Sequence, residues 1–340
     1  MSSCVLNTDG FKDGVDWLVL REFAPVLEGH PKIRRLWSFE KKKGFLGWLR
    51  FCRELHQEQY DEVFDLHQSL RSRVAYLYLK MGARVCGRSL VWKSLSKQRL
   101  AYWGFFSFKR FWPKAFRPDV FVSRAARFVG GTGEERPDLS FHLSGAFENA
   151  PFALGEGQTE ALSERLKQNG YYCVMPGAKG LGKQWGVQKF LGVIRRLDAV
   201  AVVLGASGET ESVVLSEALR REGIAHISGV GRWSLPQIAR ILAGSRGYLG
   251  NDTGLGHLAE AVGLNVNVIF GPTHPDLGFA PWRKNSVQVQ ASLWCRPCGK
   301  DGRNCIRPLR RYKCLDAISV EQVLREFKLN TRRESGRELE

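Results

Sequence analysis

The chain has 340 residues, 44% apolar and 25% charged, which suits a soluble globular protein large enough for two α/β domains of ordinary size. No apolar run reaches the ~18 residues that a membrane-spanning helix needs, and the opening MSSCVLNTDGFKDG has neither the basic nor the apolar region of a secretory signal, so a cytoplasmic location is expected. The net charge of +17 is concentrated between Lys32 and Arg127, where 22 Lys plus Arg face 7 Asp plus Glu; nucleic acid, anionic lipid and a phosphorylated substrate all suit such a field, and charge alone does not choose.

In chain order, VDWLVL (15–20) reads as a strand, followed by a helix over about 21–29 and a basic helix over 44–57. DEVFDL (61–66) reads as a second strand and RSRVAYLYLKMGA (71–83) as a further helix. The stretch 101–117 mixes aromatic residues with Lys and Arg and has no clean period. Residues 129–157 are rich in Gly, Glu and Pro, which places an interdomain linker near 145–165. Beyond it, strand candidates at 171–175, 199–204, 246–250 and 266–270 alternate with helix candidates at 186–197, 210–222, 235–244 and 255–263. In 235–244, Leu235, Ile238, Ala239, Ile241 and Leu242 recur at helical spacing, with Ser234 as N-cap and Pro236 in the first turn. Strand–helix–strand alternation with short loops predicts a parallel sheet wound on both faces. The expected division is a first domain over 1–150, a second over 151–328 and a frayed polar tail over 329–340.

Four loops at predicted strand ends carry polar, glycine-rich chemistry. PGAKGLGKQW (176–185) joins a strand to a helix start, where unpaired backbone N–H groups and the helix dipole favour an anion; Lys179 and Lys183 add charge. It also reads as an ordinary βα turn with solvated lysines, and it lacks the Walker spacing. In GNDTGLGHLAEAVG (250–263), Asp252 or Thr253 suits the cap, Gly254 admits a ligand to the backbone, and His257 lies one turn in. The plainer reading is a capped helix with a satisfied core histidine. LGASGETE (204–211) offers Glu209 or Glu211 to a ribose hydroxyl, and FGPTHPDLGFAPW (270–282) follows the next strand. In open α/β folds ligands bind at this carboxyl edge of the sheet.

Taken in order and spacing, PGAKGLGKQW, GRWSLPQIARILAG, GNDTGLGHLAEAVG and FGPTHP resemble glycosyltransferase family 9, the lipopolysaccharide heptosyltransferases, over roughly 170–325, with a weaker likeness over 15–90. The resemblance implies an α/β protein of the GT-B fold, two Rossmann-like domains with parallel sheets facing a cleft. It implies inverting transfer of heptose from ADP-heptose to a lipid A-linked saccharide, with no cofactor beyond that donor substrate. It assigns donor contacts to Lys183, Asp252, Thr253, Gly254 and His257 and places Trp233 against the adenine, where an aromatic ring stacks. Lys183 and the helix start at 253–255 then stabilise the departing diphosphate without a metal, and no Asp-x-Asp pair stands in these loops to hold one. The implied setting is the cytoplasm, peripheral on the inner face of a Gram-negative inner membrane, with no nucleic acid as partner.

The pattern departs from the family at the N-terminus. An inverting enzyme needs a base for the acceptor proton, which the family carries on an Asp in a Gly-Asp turn after its first strand. Only 14 residues precede Val15, too few for that βα unit, so the first domain is expected to be incomplete with unpaired strand edges. Asp9, in NTDG, is the replacement on offer, against a solvated turn residue. A nucleotide-sugar-binding protein without catalysis is therefore the alternative, and a nucleic-acid binder a more distant one. Cys295, Cys298, Cys305 and Cys314 offer a tetrahedral zinc set with irregular spacing, against reduced or pairable thiols. The 101–117 stretch suits a membrane surface, with Lys109, Arg110, Lys114 and Arg117 meeting lipid phosphates, or else packs between domains.

Overall fold

A computed structural model describes residues 15–134, 136–143, 160–303, 305–309 and 311–335. The chain divides into two units, 1–99 with 121–137 and 100–120 with 138–340.

In the first unit, β1 (Val15–Leu20) runs parallel to β2 (Ile33–Phe39). The helix expected over 21–29 is a 3₁₀ turn followed by the single turn α1 (Ala24–Leu27), opened by Pro25. Then come α2 (Gly44–Gln57), β3 (Glu62–Asp65), α3 (Leu70–Val85) and β4 (Val91–Ser94), with β3 parallel to β4. Among the described residues no ladder joins the two strand pairs, so this unit has two short sheets in place of one. Its core lies between α2 and α3, where Trp48, Phe51, Cys52 and Leu55 meet Ala75, Leu79 and Ala83. Asp16, on β1, accepts two bonds from the Arg34 guanidinium at 2.8 and 2.9 Å and one from the Tyr60 hydroxyl at 2.5 Å.

The chain next forms α4 (Arg99–Phe108) and later α5 (Phe121–Phe128). The segment 100–120 between them groups with the second unit, not with the first domain to which a boundary at 150 assigned it. Tyr102 and Phe105 are buried there with Leu277; the Tyr102 hydroxyl donates to the Leu277 carbonyl at 2.8 Å, and the Lys109 ammonium donates to Pro297 O at 2.7 Å. The period of this segment was hidden because it splits its aromatics: Phe105 is 1% exposed, while Trp103 and Phe111 are 63% and 77% exposed.

The second unit continues with α6 (Glu160–Asn169), β5 (Tyr171–Met175), α7 (Val187–Ile194), β6 (Val200–Val203), α8 (Thr210–Arg221), β7 (His226–Ser228) and α9 (Leu235–Ala243). It closes with β8 (Tyr248–Asn251), α10 (Gly254–Ala261), β9 (Val266–Phe270), β10 (Val287–Gln290), α11 (Lys313–Asp316) and α12 (Val320–Ser335). The backbone of α12 stays helical to Ser335, so residues 329–335 are not the frayed tail expected. Six parallel strands form one sheet in the order β10-β9-β8-β5-β6-β7. β6, β8 and β9 are buried at every position, as strands covered on both faces must be. Phe190, Leu191, Val193 and Ile194 of α7 pack into this core, each contributing roughly 1.5–3 kcal/mol by leaving water. The chain winds outward from β5 through β6 to β7, then returns to β8 on the other side of β5 and winds outward again. The carboxyl ends of β5 and β8 therefore flank the reversal point, the place where ligands bind in open α/β sheets.

Candidate functional site

At that reversal the loop after β5 and the loop after β8 are tied by Asn251, the last residue of β8, which is fully buried. Its amide Nδ2 donates to Pro176 O at 2.6 Å, and its Oδ1 accepts from the Trp185 backbone N–H at 3.2 Å. The first loop turns through a 3₁₀ segment, Leu181–Lys183, pressed close to its neighbours. A side chain on Gly182 would overlap Gly302 O and the Tyr312 ring. This closeness aims Lys183 across the sheet end. Its ammonium lies 2.7 Å from Asp252 Oδ2 and 3.3 Å from Asp252 O. Thr273, from the loop after β9, donates its hydroxyl to the same Asp252 oxygen at 3.0 Å. Three strand ends thus converge on one carboxylate.

Asp252 is engaged in this way and does not cap α10. Thr253 holds the cap position with extended backbone, and its side chain makes no capping bond. The first turn of α10 therefore keeps its N–H groups free of a side-chain cap. Gly254 is exposed, with open space where a side chain would stand, so a ligand can approach the backbone there. His257 lines a small pocket with Asp252, Thr253, Gly256, Glu260, Val268, Phe279 and Pro281. Burial pushes its imidazole below the ordinary histidine range, which keeps it neutral near pH 7. Glu260, one turn further on, is 1% exposed; it accepts the backbone N–H groups of Trp282 and Arg283 and the Ser286 hydroxyl. These bonds hold the far wall of the pocket.

Glu209 stands at the N-cap of α8, between two glycines whose missing side chains make room for it. A Cβ on Gly177 would overlap the Glu209 carboxyl, and one on Gly205 would lie 2.6 Å from its Oε2. The Ser212 hydroxyl donates to Glu209 Oε2 at 2.6 Å. Burial raises the Glu209 pKa above the usual carboxylate range. The next loop lies alongside, since Gly231 N–H donates to Gly205 O at 2.9 Å. Trp233 in that loop packs its ring over Gly229. Ser234 and Gln237 complete a capping box at the start of α9.

Lys183, Asp252, Thr253, Gly254 and His257 are thus neighbours. Glu209 and Trp233 sit on adjoining loops of the same sheet edge. Lys179 is exposed, and among the described residues no hydrogen bond or ion pair joins its side chain to the others. Asp9 lies outside the described residues. The four cysteines offered for zinc form no metal-holding group among the described residues. Three of the four make separate local bonds: the Cys298 thiol donates to Cys295 O at 3.3 Å, Arg307 donates to Cys295 Sγ at 3.3 Å, and Tyr312 N–H donates to Cys305 Sγ at 3.4 Å.

Four contributors escaped sequence reading: Asn251, Glu260, Thr273 and Arg296. Arg296 stands in a basic run, where an exposed side chain is the ordinary expectation, yet it is 5% exposed. Its guanidinium donates to Gly271 O, Thr273 O and Ala291 O at 2.5, 2.8 and 2.7 Å. The signal for it was the neighbouring Pro297 and the two flanking cysteines of one tight turn, all close to a strand end.

Residues 48–306 match the sequence pattern of Glycosyltransferase family 9 (heptosyltransferase). The chain is 25% identical over 338 residues to lipopolysaccharide heptosyltransferase 1 of Pseudomonas aeruginosa, covering 94% of this chain and 86% of that protein. In fold it is similar to the Escherichia coli ADP-heptose LPS heptosyltransferase II (TM-score 0.64, 17% identity, 98% and 95% of the two chains). It is equally similar to a family 9 glycosyltransferase from Veillonella parvula (TM-score 0.66, 16% identity, the same coverage). These likenesses are to α/β proteins of the GT-B class.

Proposed function

The chain belongs to glycosyltransferase family 9, and on that premise we propose that it transfers heptose from ADP-heptose to a lipid A-linked saccharide. The observation that carries this reading is the Lys183–Asp252–Thr273 convergence at the start of α10, on the reversal edge of a parallel sheet. In the reaction an acceptor hydroxyl attacks the anomeric carbon from the face opposite the diphosphate. The new C–O bond forms as the bond to the phosphate oxygen breaks, the acceptor proton passes to a base, and ADP departs with the electron pair. Lys183 and the N–H groups at the start of α10 take the charge growing on the leaving phosphate. Asp252 aims the ammonium, and Thr273 aims Asp252. Glu209 receives the ribose hydroxyls, Trp233 covers the adenine, and Thr253, Gly254 and His257 face the diphosphate and sugar; Lys179 adds charge at the entrance. Asp9 is the base in this reading.

A lipid-anchored acceptor places the working protein on the cytoplasmic face of a Gram-negative inner membrane. No described helix is long and apolar enough to cross a membrane, so contact with it is peripheral in this reading. Calorimetry with ADP beside a transfer assay with ADP-heptose tests the proposal. ADP binding with turnover supports it; ADP binding without turnover converts it to the nucleotide-sugar-binding alternative; no ADP binding sinks it.

A further inference from the structure

α3 carries apolar residues on two opposite sides. Ala75, Leu79 and Ala83 are buried against α2. Leu70, Leu77, Met81 and Val85, spaced by seven, four and four, fall half a turn away and share the other side. They are 78%, 56%, 65% and 87% exposed. A surface helix that needs only one buried face has no use for a second apolar stripe.

The stripe is edged by charge of one sign. Arg73, Lys80 and Arg84 run along one flank and Arg71 along the other, and none has an acidic partner among the described residues; Lys80 stands over the Tyr76 ring at 5.2 Å. Between Leu66 and Pro118 the chain has 12 Lys plus Arg and no Asp or Glu. An apolar stripe bordered by cations, with carboxylates absent around it, fits the headgroup layer of an anionic bilayer: the stripe enters the acyl boundary while the cations meet phosphates. A second copy of the chain is a poor occupant, because symmetric pairing would press two such basic borders together.

We propose that α3 is a membrane-docking helix, laying Leu77, Met81 and Val85 onto anionic phospholipid with Arg73 and Arg84 bound to headgroups. This deepens the functional reading, since a lipid-anchored acceptor is met at a membrane. It is tested without donor or acceptor, so either idea can fail alone.

The experiment is flotation of the purified full chain with phosphatidylglycerol–phosphatidylethanolamine vesicles, beside phosphatidylcholine vesicles, at low salt. The wild type is expected to float with the anionic vesicles only, and to be released at ~1 M salt, where the Debye length falls to about 3 Å. Leu77→Gln with Met81→Gln, and separately Arg73→Gln with Arg84→Gln, should each weaken binding about tenfold or more. Unchanged circular dichroism and an unchanged thermal melt show that the variants are folded; all four side chains lie outside the core. Failure of the wild type to float overturns the proposal. So does wild-type flotation by both variants, or a concentration-dependent dimer that the Leu77 and Met81 changes abolish while flotation persists.

Discussion

The guanidinium of Arg296 donates to the carbonyl of Thr273 at 2.8 Å, and the Thr273 hydroxyl donates to the carboxylate that holds Lys183. A buried cation thus sets the loop that sets the lysine. Arg296 also donates to Gly271 O and Ala291 O and to the Gln290 side chain, and forms no ion pair among the described residues. Backbone carbonyls and the Gln290 amide oxygen carry its charge, and burial pulls its pKa down. Arg296→Gln should leave several carbonyls unpaired and cost about 2–4 kcal/mol of stability in urea unfolding. Arg296→Lys should recover only part, because an ammonium cannot reproduce the planar fork. In our reading both variants also raise the donor KM more than they lower kcat. An unchanged urea midpoint for Arg296→Gln would contradict this account.

Lys183 is itself part-exposed, so its removal should spare the fold. If it stabilises the leaving phosphate, Lys183→Ala lowers kcat on the order of 10²–10³-fold, the range seen when one transition-state donor is lost. Lys183→Arg should retain more activity than Lys183→Ala, though the wider head fits poorly against Asp252. Steady-state kinetics that find Lys183→Ala within about twofold of wild type would remove this residue from the mechanism.

Gly177 makes room for Glu209, so Gly177→Ala must drive the Glu209 carboxyl off its position. The contested atoms are the end of a flexible side chain, so destabilisation of about 1 kcal/mol is expected, from the lost Ser212 bond. Adding Glu209→Ala should then cost little more, because that bond is already lost, and it should not recover ADP affinity. A double-mutant cycle followed by thermal melting and calorimetry checks both halves. Additive stability effects would show that the two residues do not compete.

His274 accepts the Asp276 N–H at its Nδ1 and meets Phe105 edge-on at 5.5 Å; burial lowers its pKa to about 4. His257 is lowered by burial as well. The folded chain thus holds both rings neutral below the pH at which the unfolded chain protonates them. The His274 contribution is complete above about pH 6.5 and is lost as the pH falls toward 4, up to about 3 kcal/mol, and His257 acts in the same direction. His274→Asn keeps an acceptor for the Asp276 N–H but cannot titrate, so stability between pH 6.5 and 4 should fall less steeply in that variant. Parallel slopes for the two proteins in urea melts across that range would count against the assignment.

Much of the second unit was legible because its signals are local. β5 and β9 fall where continuous apolar runs placed them, and the Ser234 cap announced α9. β7, with three residues, and β4 and β10, with four each, are too short for a period of two to register. β2 was hidden by paired arginines: Arg34 pairs with Asp16 and Arg35 with Glu58, links of 18 and 23 positions along the chain. The site loops were readable as glycine-rich strand ends, and so was the Lys183–Asp252 neighbourhood. The function of Asp252 was not. A residue just before a helix reads as a cap, and only the crossing of three loops turns it into a partner for Lys183 and Thr273. Arg296 failed for the same reason, since its partners are main-chain carbonyls, which leave no trace in side-chain identity.

The doubling-back of the six-stranded sheet also orders events in time. β5 ends at Met175 and its neighbour β8 begins at Tyr248, so a chain leaving the ribosome must wait through two complete strand–helix units before its first loop meets its counterpart. Thr273 and Arg296 arrive later still. Until then β5 has only β6 beside it, an exposed flank open to mispairing. Nascent chains arrested short of Arg296 should therefore remain protease-sensitive at the 176–186 loop, even with helices α7 and α8 already formed.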